Sequence, residues 1–171
     1  GLEDIDFCLE LLHSDIINVA YILELIAELD PYSNDYSEKR QHIIDTMIKD
    51  AGMRGKAKLI DGFIRKNVDE DKANFMSGRS KADGTSELEE RLNQYIVSER
   101  NKAVKDLSDD EQIPTEVLNL YIKEYDYLQK EQPEIIQKAL KEKHLGLIKT
   151  RKALTRIMER LRNIIRTFNW E

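Results

Sequence analysis

The chain has 171 residues, of which 40% are apolar and 35% charged, with a net charge of -6. That length can bury a core without staples, and the scarcity of Gly (7) and Pro (3) argues against collagen-like, disordered and turn-rich β classes. One cysteine, Cys8, excludes an intramolecular disulfide, no apolar run approaches the roughly 18 residues of a membrane span, and the acidic N-terminal stretch lacks a signal-peptide pattern, so a soluble cytoplasmic domain is expected.

A short apolar-rich helix is expected over residues 3–12. His13, Ser14 and Asp15 interrupt it as a polar turn, in which Ser and Asp side chains bond nearby backbone N–H groups. Asn18 is placed to cap the next helix, whose Val19, Ile22, Leu23, Ile26 and Leu29 recur at helical spacing. Asp30-Pro31 ends it, because proline disfavours helix at the preceding residue. The Asp35-to-Glu38 spacing is a capping box, opening a helix with Ile43, Ile44, Met47 and Ile48 inward and closing at Ala51-Gly52. A fourth helix is expected from Gly55 to Val68, with Leu59, Ile60, Phe63 and Ile64 buried. Gly62 inside it costs about 1 kcal/mol against Ala, which points to close packing on a neighbour.

Residues 69–86 are polar and hold two glycines, and are expected to form one long mobile loop presenting Lys72, Arg79 and Lys81. A second capping box, Ser86 to Glu89, opens a helix to about Leu107 with few apolar positions, hence a peripheral one. Residues 108–112 are expected to be an acidic loop. A helix follows from Pro114 or Thr115 to about Leu128, and another begins at Pro133, which has no N–H to leave unpaired in a first turn. His144-Leu145-Gly146 marks a break. The last helix carries Leu147, Leu154, Ile157, Leu161, Ile164 and Phe168 at alternating three- and four-residue steps, one continuous apolar stripe. The class is therefore all-α: one compact domain of about eight helices with one long polar loop.

No phosphate loop, dinucleotide fingerprint or serine elbow is present, and His13, His42 and His144 have no partner at metal-ligand spacing. No catalytic or metal site is assigned, and no cofactor is expected in this domain. A metal-dependent nuclease built on clustered carboxylates is a third, weaker reading, since acid pairs on helices this charged carry little information.

Charge is distributed unevenly. Residues 1–50 hold twelve acids against three bases, residues 51–137 eighteen against fourteen, and residues 138–171 three against ten. On the last helix Lys149, Lys152, Arg156 and Arg160 form one stripe, Arg151, Arg162 and Arg166 flank the other side, and Lys138, Lys141 and Lys143 precede it. A face of one sign repels itself and adds nothing to helix stability, so its use lies outside the helix. Lys141, Lys143, Lys149, Arg151, Lys152, Arg156, Arg160, Arg162 and Arg166 are the candidate contacts to DNA phosphates. Pairing with the acidic N-terminal region or an acidic protein is the alternative, a membrane surface a weaker one, and a solvated face the bland one.

The string Leu11-Leu12-His13-Ser14-Asp15-Ile16-Ile17-Asn18-Val19, followed by Tyr21-Ile22-Leu23, resembles the start of the C-terminal helical domain of the type I restriction enzyme motor subunit (the R subunit), type IC-like. Gly146-Leu147 leading into the final helix is a second similarity. The resemblance implies that residues 1–171 are the last domain of a larger prokaryotic subunit. It implies no catalysis by this domain, ATP and Mg being handled elsewhere in a subunit that would be an ATP-dependent site-specific deoxyribonuclease. It implies assembly with modification and specificity subunits and with the rest of the R subunit, and sequence-independent contact with double-stranded DNA. His13, Ser14, Asp15, Asn18 and Tyr21 would form a docking or structural turn. The alternative is a stand-alone helical interaction module whose basic helix binds an acidic protein.

Overall fold

The computed structural model describes residues 20–50, 52–79, 84–142 and 151–168. They are helical throughout their ordered elements, with no strand among them. Residues 20–27 form α1, followed by α2 (Tyr36–Lys49), α3 (Ala57–Ile64), α4 (Lys72–Arg79), α5 (Gly84–Glu111), α6 (Thr115–Lys123), α7 (Tyr125–Glu142) and α8 (Arg151–Phe168). Among the described residues no helix is long and apolar enough to cross a membrane. The expected helix at 3–12, the turn of His13, Ser14, Asp15 and Asn18, and the break at 144–146 lie outside the described residues. The chain divides between Ile96 and Val97 into two compact units.

In the first unit, Ile22, Leu23, Ile26 and Leu29 pack with Ile43, Ile44, Met47, Ile60, Phe63 and Ile64. These are the positions that helical periodicity selects, apart from Ile48, which is 44% exposed. Residues 54–56 form a 3₁₀ turn before α3, and Arg65–Asp69 a π turn after it. The wide turn keeps Val68 in the core while Asp69 reaches α2. There Arg40 donates to Asp69 from Nε at 3.0 Å and from a terminal nitrogen at 2.9 Å, and to Asp61 at 2.8 Å. Tyr36 donates its hydroxyl to the same Asp69 carboxylate. Burial, reinforced by that carboxylate, pushes the Tyr36 phenol well above its usual range.

The box at the start of α2 forms differently from the expectation. Asp35 precedes the helix but makes no side-chain cap. Its carboxylate instead accepts the Ser33 hydroxyl at 2.5 Å and pairs with Lys39 at 3.2 Å.

The segment expected as one loop over 69–86 contains α4. Phe75 is buried there, and Arg79 donates to the carbonyl of Leu29 at 2.8 Å, satisfying a backbone acceptor left over at the end of α1. Lys72 sits over the Tyr32 ring, 5.8 Å from its centroid. One anchored aromatic and one cap suffice for a two-turn helix, and neither leaves a periodic trace.

Gly62 faces Tyr95 of α5, whose ring meets Phe63 edge-on with centroids 5.6 Å apart. A methyl at Gly62 would overlap the Tyr95 hydroxyl. Gly62→Ala should therefore destabilise by about 1–3 kcal/mol despite the better helix propensity of Ala. Adding Tyr95→Phe should recover part of that loss, seen as a favourable coupling energy in urea unfolding of the four variants. Additive single-variant effects would rule the contact out as the reason for the glycine.

α5 begins at Gly84, two residues before the expected cap, and runs on through the expected acidic loop to Glu111. It is not peripheral: Leu88 and Leu92 belong to the core of the first unit, Val104 and Leu107 to that of the second. Its end is a Schellman turn. Gln112 has φ 55°, the Ile113 N–H bonds the Ser108 carbonyl at 3.1 Å, and Ile113 is buried beside Leu107. Gln at a left-handed position is strained where Gly is not, so Gln112→Gly should stabilise by up to about 1 kcal/mol. A lower unfolding midpoint for that variant would refute this account of the turn.

In the second unit α8 buries Leu154, Ile157, Met158, Leu161 and Ile164 against Val117, Leu118, Tyr121 and Leu128. The helix expected to start at Pro133 instead starts at Tyr125 and runs through the proline. Leu128, Ile135 and Ala139 all pack on the core from α7, and their shared face outweighs the missing N–H. The break falls at Glu124.

Candidate nucleic-acid interface

α8 is amphipathic because its apolar residues return every three or four positions, leaving about half the circumference at 100° per residue for polar groups. That polar half divides in two. On one side Arg156 grips Glu111 through two hydrogen bonds of 2.9 and 2.8 Å. Arg160, one turn on, bonds Asp110 at 2.9 Å and Glu111 at 3.4 Å. Arg162 and Arg166 on the other side, and Lys152 one turn before Arg156 on the same stripe, make no ion pair with a described residue. Lys152 and Arg166 are exposed and Arg162 half-buried. Of the other candidates, Arg151 opens α8 and Lys141 lies in α7, while Lys143 and Lys149 lie outside the described residues. Tyr21 on α1 is 45% exposed.

Among the described residues, the acids that meet the basic face come from the end of α5. Residues 108–112 look like a loop because they are continuously polar. Asp109, Asp110 and Glu111 in fact occupy the last helical turn, where the negative end of the helix dipole disfavours them. Arg156 and Arg160 supply the compensating charge. Asp110 and Glu111 are thus the residues that sequence reasoning missed. Their signal was an acidic triplet matched by an arginine pair at i, i+4 elsewhere in the chain.

The hydrogen bond from Arg156 is the main cause that holds the Glu111 carboxyl below its ordinary 4.5, against the opposing pull of burial and with the charges of Arg156 and Arg160 adding to it. A depressed carboxyl stabilises the fold above its unfolded value, and that contribution is lost as pH falls through the folded one. Acidification from about pH 6 to about pH 3 should therefore lower the melting temperature less in Glu111→Gln than in the parent. Equal losses in both would show that the pair contributes nothing to stability.

Among the described residues no group of three or more His, Cys, Asp and Glu is arranged to hold a metal ion. The concavity beside the pair, about 570 Å³ and lined by Lys152, Thr155, Arg156 and Glu159, is open to solvent.

No curated protein and no solved structure matches the chain. A family model described as "Type I restriction and modification enzyme - subunit R C terminal" matches residues 1–168. With nearly the whole chain matched, the protein belongs to the family of C-terminal regions of type I restriction and modification enzyme R subunits.

Proposed function

We propose that this chain is a non-catalytic part of the R subunit that helps assemble the motor with the modification and specificity subunits and touches duplex DNA without reading its sequence. In this reading it works in the prokaryotic cytoplasm during ATP-dependent translocation and cleavage, with ATP and Mg bound by other parts of the subunit. The observation that carries the DNA contact is the set of uncommitted cations on the polar face of α8, Lys152, Arg162 and Arg166, which unlike Arg156 and Arg160 pair with no described carboxylate. Phosphate contacts of this kind position a protein on DNA but do not specify sequence. Affinity should be weak, about 10⁻⁴–10⁻⁶ M, and should fall with salt. An acidic chain can still bind if its cations form one patch.

The test is salt-dependent binding of the chain to a mixed-sequence duplex, beside a variant with Lys152, Arg162 and Arg166 changed to Glu. Binding that weakens with salt and disappears in the variant is the expected result. Absence of binding by the parent at low salt would refute the DNA contact and leave assembly alone. The capture of two arginines by carboxylates favours a second reading, in which the free cations meet an acidic protein. Salt-sensitive binding to the modification or specificity subunits, lost in the same variant while DNA binding is absent, would select it.

A further inference from the structure

Three consecutive acids at the C-terminal end of a helix are placed against the helix dipole, so local stability does not account for them. What they face does. Arg156 and Arg160 stand one turn apart on the same face of α8; Glu111 engages both, and Asp110 engages Arg160. Arg156 presents its planar fork to both oxygens of Glu111, the geometry with which a guanidinium takes either a carboxylate or a phosphate. The Arg156 side chain is 59% exposed and that of Glu111 only 10%. The carboxylate is therefore held in place while the guanidinium stands within reach of solvent. An ion pair with one such exposed member is screened and replaceable.

We propose that Asp110 and Glu111 act as an intramolecular substitute for DNA phosphates, withholding Arg156 and Arg160 from the duplex. The inference rests on the DNA-contact reading above and refines it: of Lys152, Arg156, Arg160, Arg162 and Arg166 on α8, Arg156 and Arg160 are kept out of the contact. The consequence is a deliberately loose grip. A domain that lies on moving DNA must release each phosphate as the strand passes, and every added contact steepens the cost of release. The acidic end of α5 sets that grip by lowering the number of phosphates neutralised.

The test compares the 171-residue chain with Asp110→Asn/Glu111→Gln, using a short mixed-sequence duplex titrated over a range of salt. Freeing two arginines adds two phosphate contacts, so the slope of log affinity against log salt should steepen by about 1.8. Over a fourfold rise in salt the variant should then lose about tenfold more affinity than the parent loses. Arg156→Ala/Arg160→Ala in the same background should return the slope to the parental value. Asp106→Asn/Asp109→Asn, which removes the same charge from exposed acids of α5 that pair with no described residue, should leave the slope unchanged. Circular dichroism establishes that each variant is folded. If the double variant has lost helicity, Glu111→Gln alone serves, because it removes the carboxylate that holds Arg156, with about half the change in slope expected.

A parental slope in the neutralised variant, or an equal steepening by the control pair, would overturn the substitute-phosphate inference while the DNA contact itself stands. Binding by the variant where the parent has none would overturn the parent's DNA contact, and with it the inference that the acids loosen that contact. No binding by any of them would overturn the inference and the DNA contact together.

Discussion

Replacing Arg40 with Met should destabilise the first unit by about 2–3 kcal/mol, with the loss confined to helices α1 to α4 and the first part of α5. Met retains much of the apolar stem, so the change isolates the guanidinium. Among the described residues that guanidinium is the only side-chain partner of Asp61 and one of two for Asp69, and its side chain is 19% exposed against 42% and 28% for the two acids. Removing it leaves two carboxylates facing each other across the turn that follows α3, with the Tyr36 hydroxyl as the one remaining donor to Asp69. The lower end of the usual cost for breaking a buried pair applies, because water reaches Asp61. Amide exchange read residue by residue separates the units, which a single melting curve would not. Protection lost in α2 and α3 but kept in α6 and α8 is the expected pattern. A change under about 0.5 kcal/mol would place Arg40 among ordinary surface residues and remove the reason given for the π turn.

Leu161→Ala should destabilise the second unit by about 2–5 kcal/mol, the range for truncating a buried leucine where the site cannot collapse. Leu161 is 3% exposed and packs in the cluster with Leu118, Tyr121 and Leu128. Its neighbour in sequence, Arg162, lies on the polar side, and Arg162→Ala should change stability by no more than about 0.5 kcal/mol. DNA affinity should respond in the opposite way, weakened by Arg162→Ala and, where Leu161→Ala remains folded, unchanged by it. The contrast between adjacent residues separates the two faces of α8 in one experiment. A Leu161→Ala chain as stable as the parent would mean that the apolar stripe serves a partner rather than the core of its own unit.

Elements whose information is local are legible in the sequence; elements held by distant contacts are not. Ile22, Leu23, Ile26 and Leu29, or Leu154, Ile157, Leu161 and Ile164, announce their helices because burial of one face imposes its period on the sequence itself. Gly62 announced a close approach because glycine in a helix interior has a cost that something must offset. The same reasoning failed at α4, where one buried Phe75 and a bond from Arg79 to a carbonyl fifty residues earlier make a helix out of a polar segment. It failed at Pro133, where the packing of Leu128, Ile135 and Ala139 carries α7 across a residue that local propensity treats as a start. It failed again at Asp35, whose carboxylate was claimed by Ser33 and Lys39 before it could cap a helix.

The candidate interface divides along the same line. That α8 is basic and amphipathic is a property of its own residues, fixed by composition and a period of 3.6. Which of its cations are available is not, because availability depends on the charges brought opposite them. Arg156 and Arg160 are equivalent to Lys152, Arg162 and Arg166 in any reading of the chain alone. Only folding sets Asp110 and Glu111, 45 to 50 residues away in sequence, against the first two and leaves the other three without a carboxylate partner among the described residues. The sequence by itself determined the all-α class, the buried faces and the sign of the last helix, since each follows from spacing within one element. The tertiary structure alone decided the π turn clamped by Arg40, the helix inside the polar segment and the division of the basic face, since each depends on contacts between elements that no local period records.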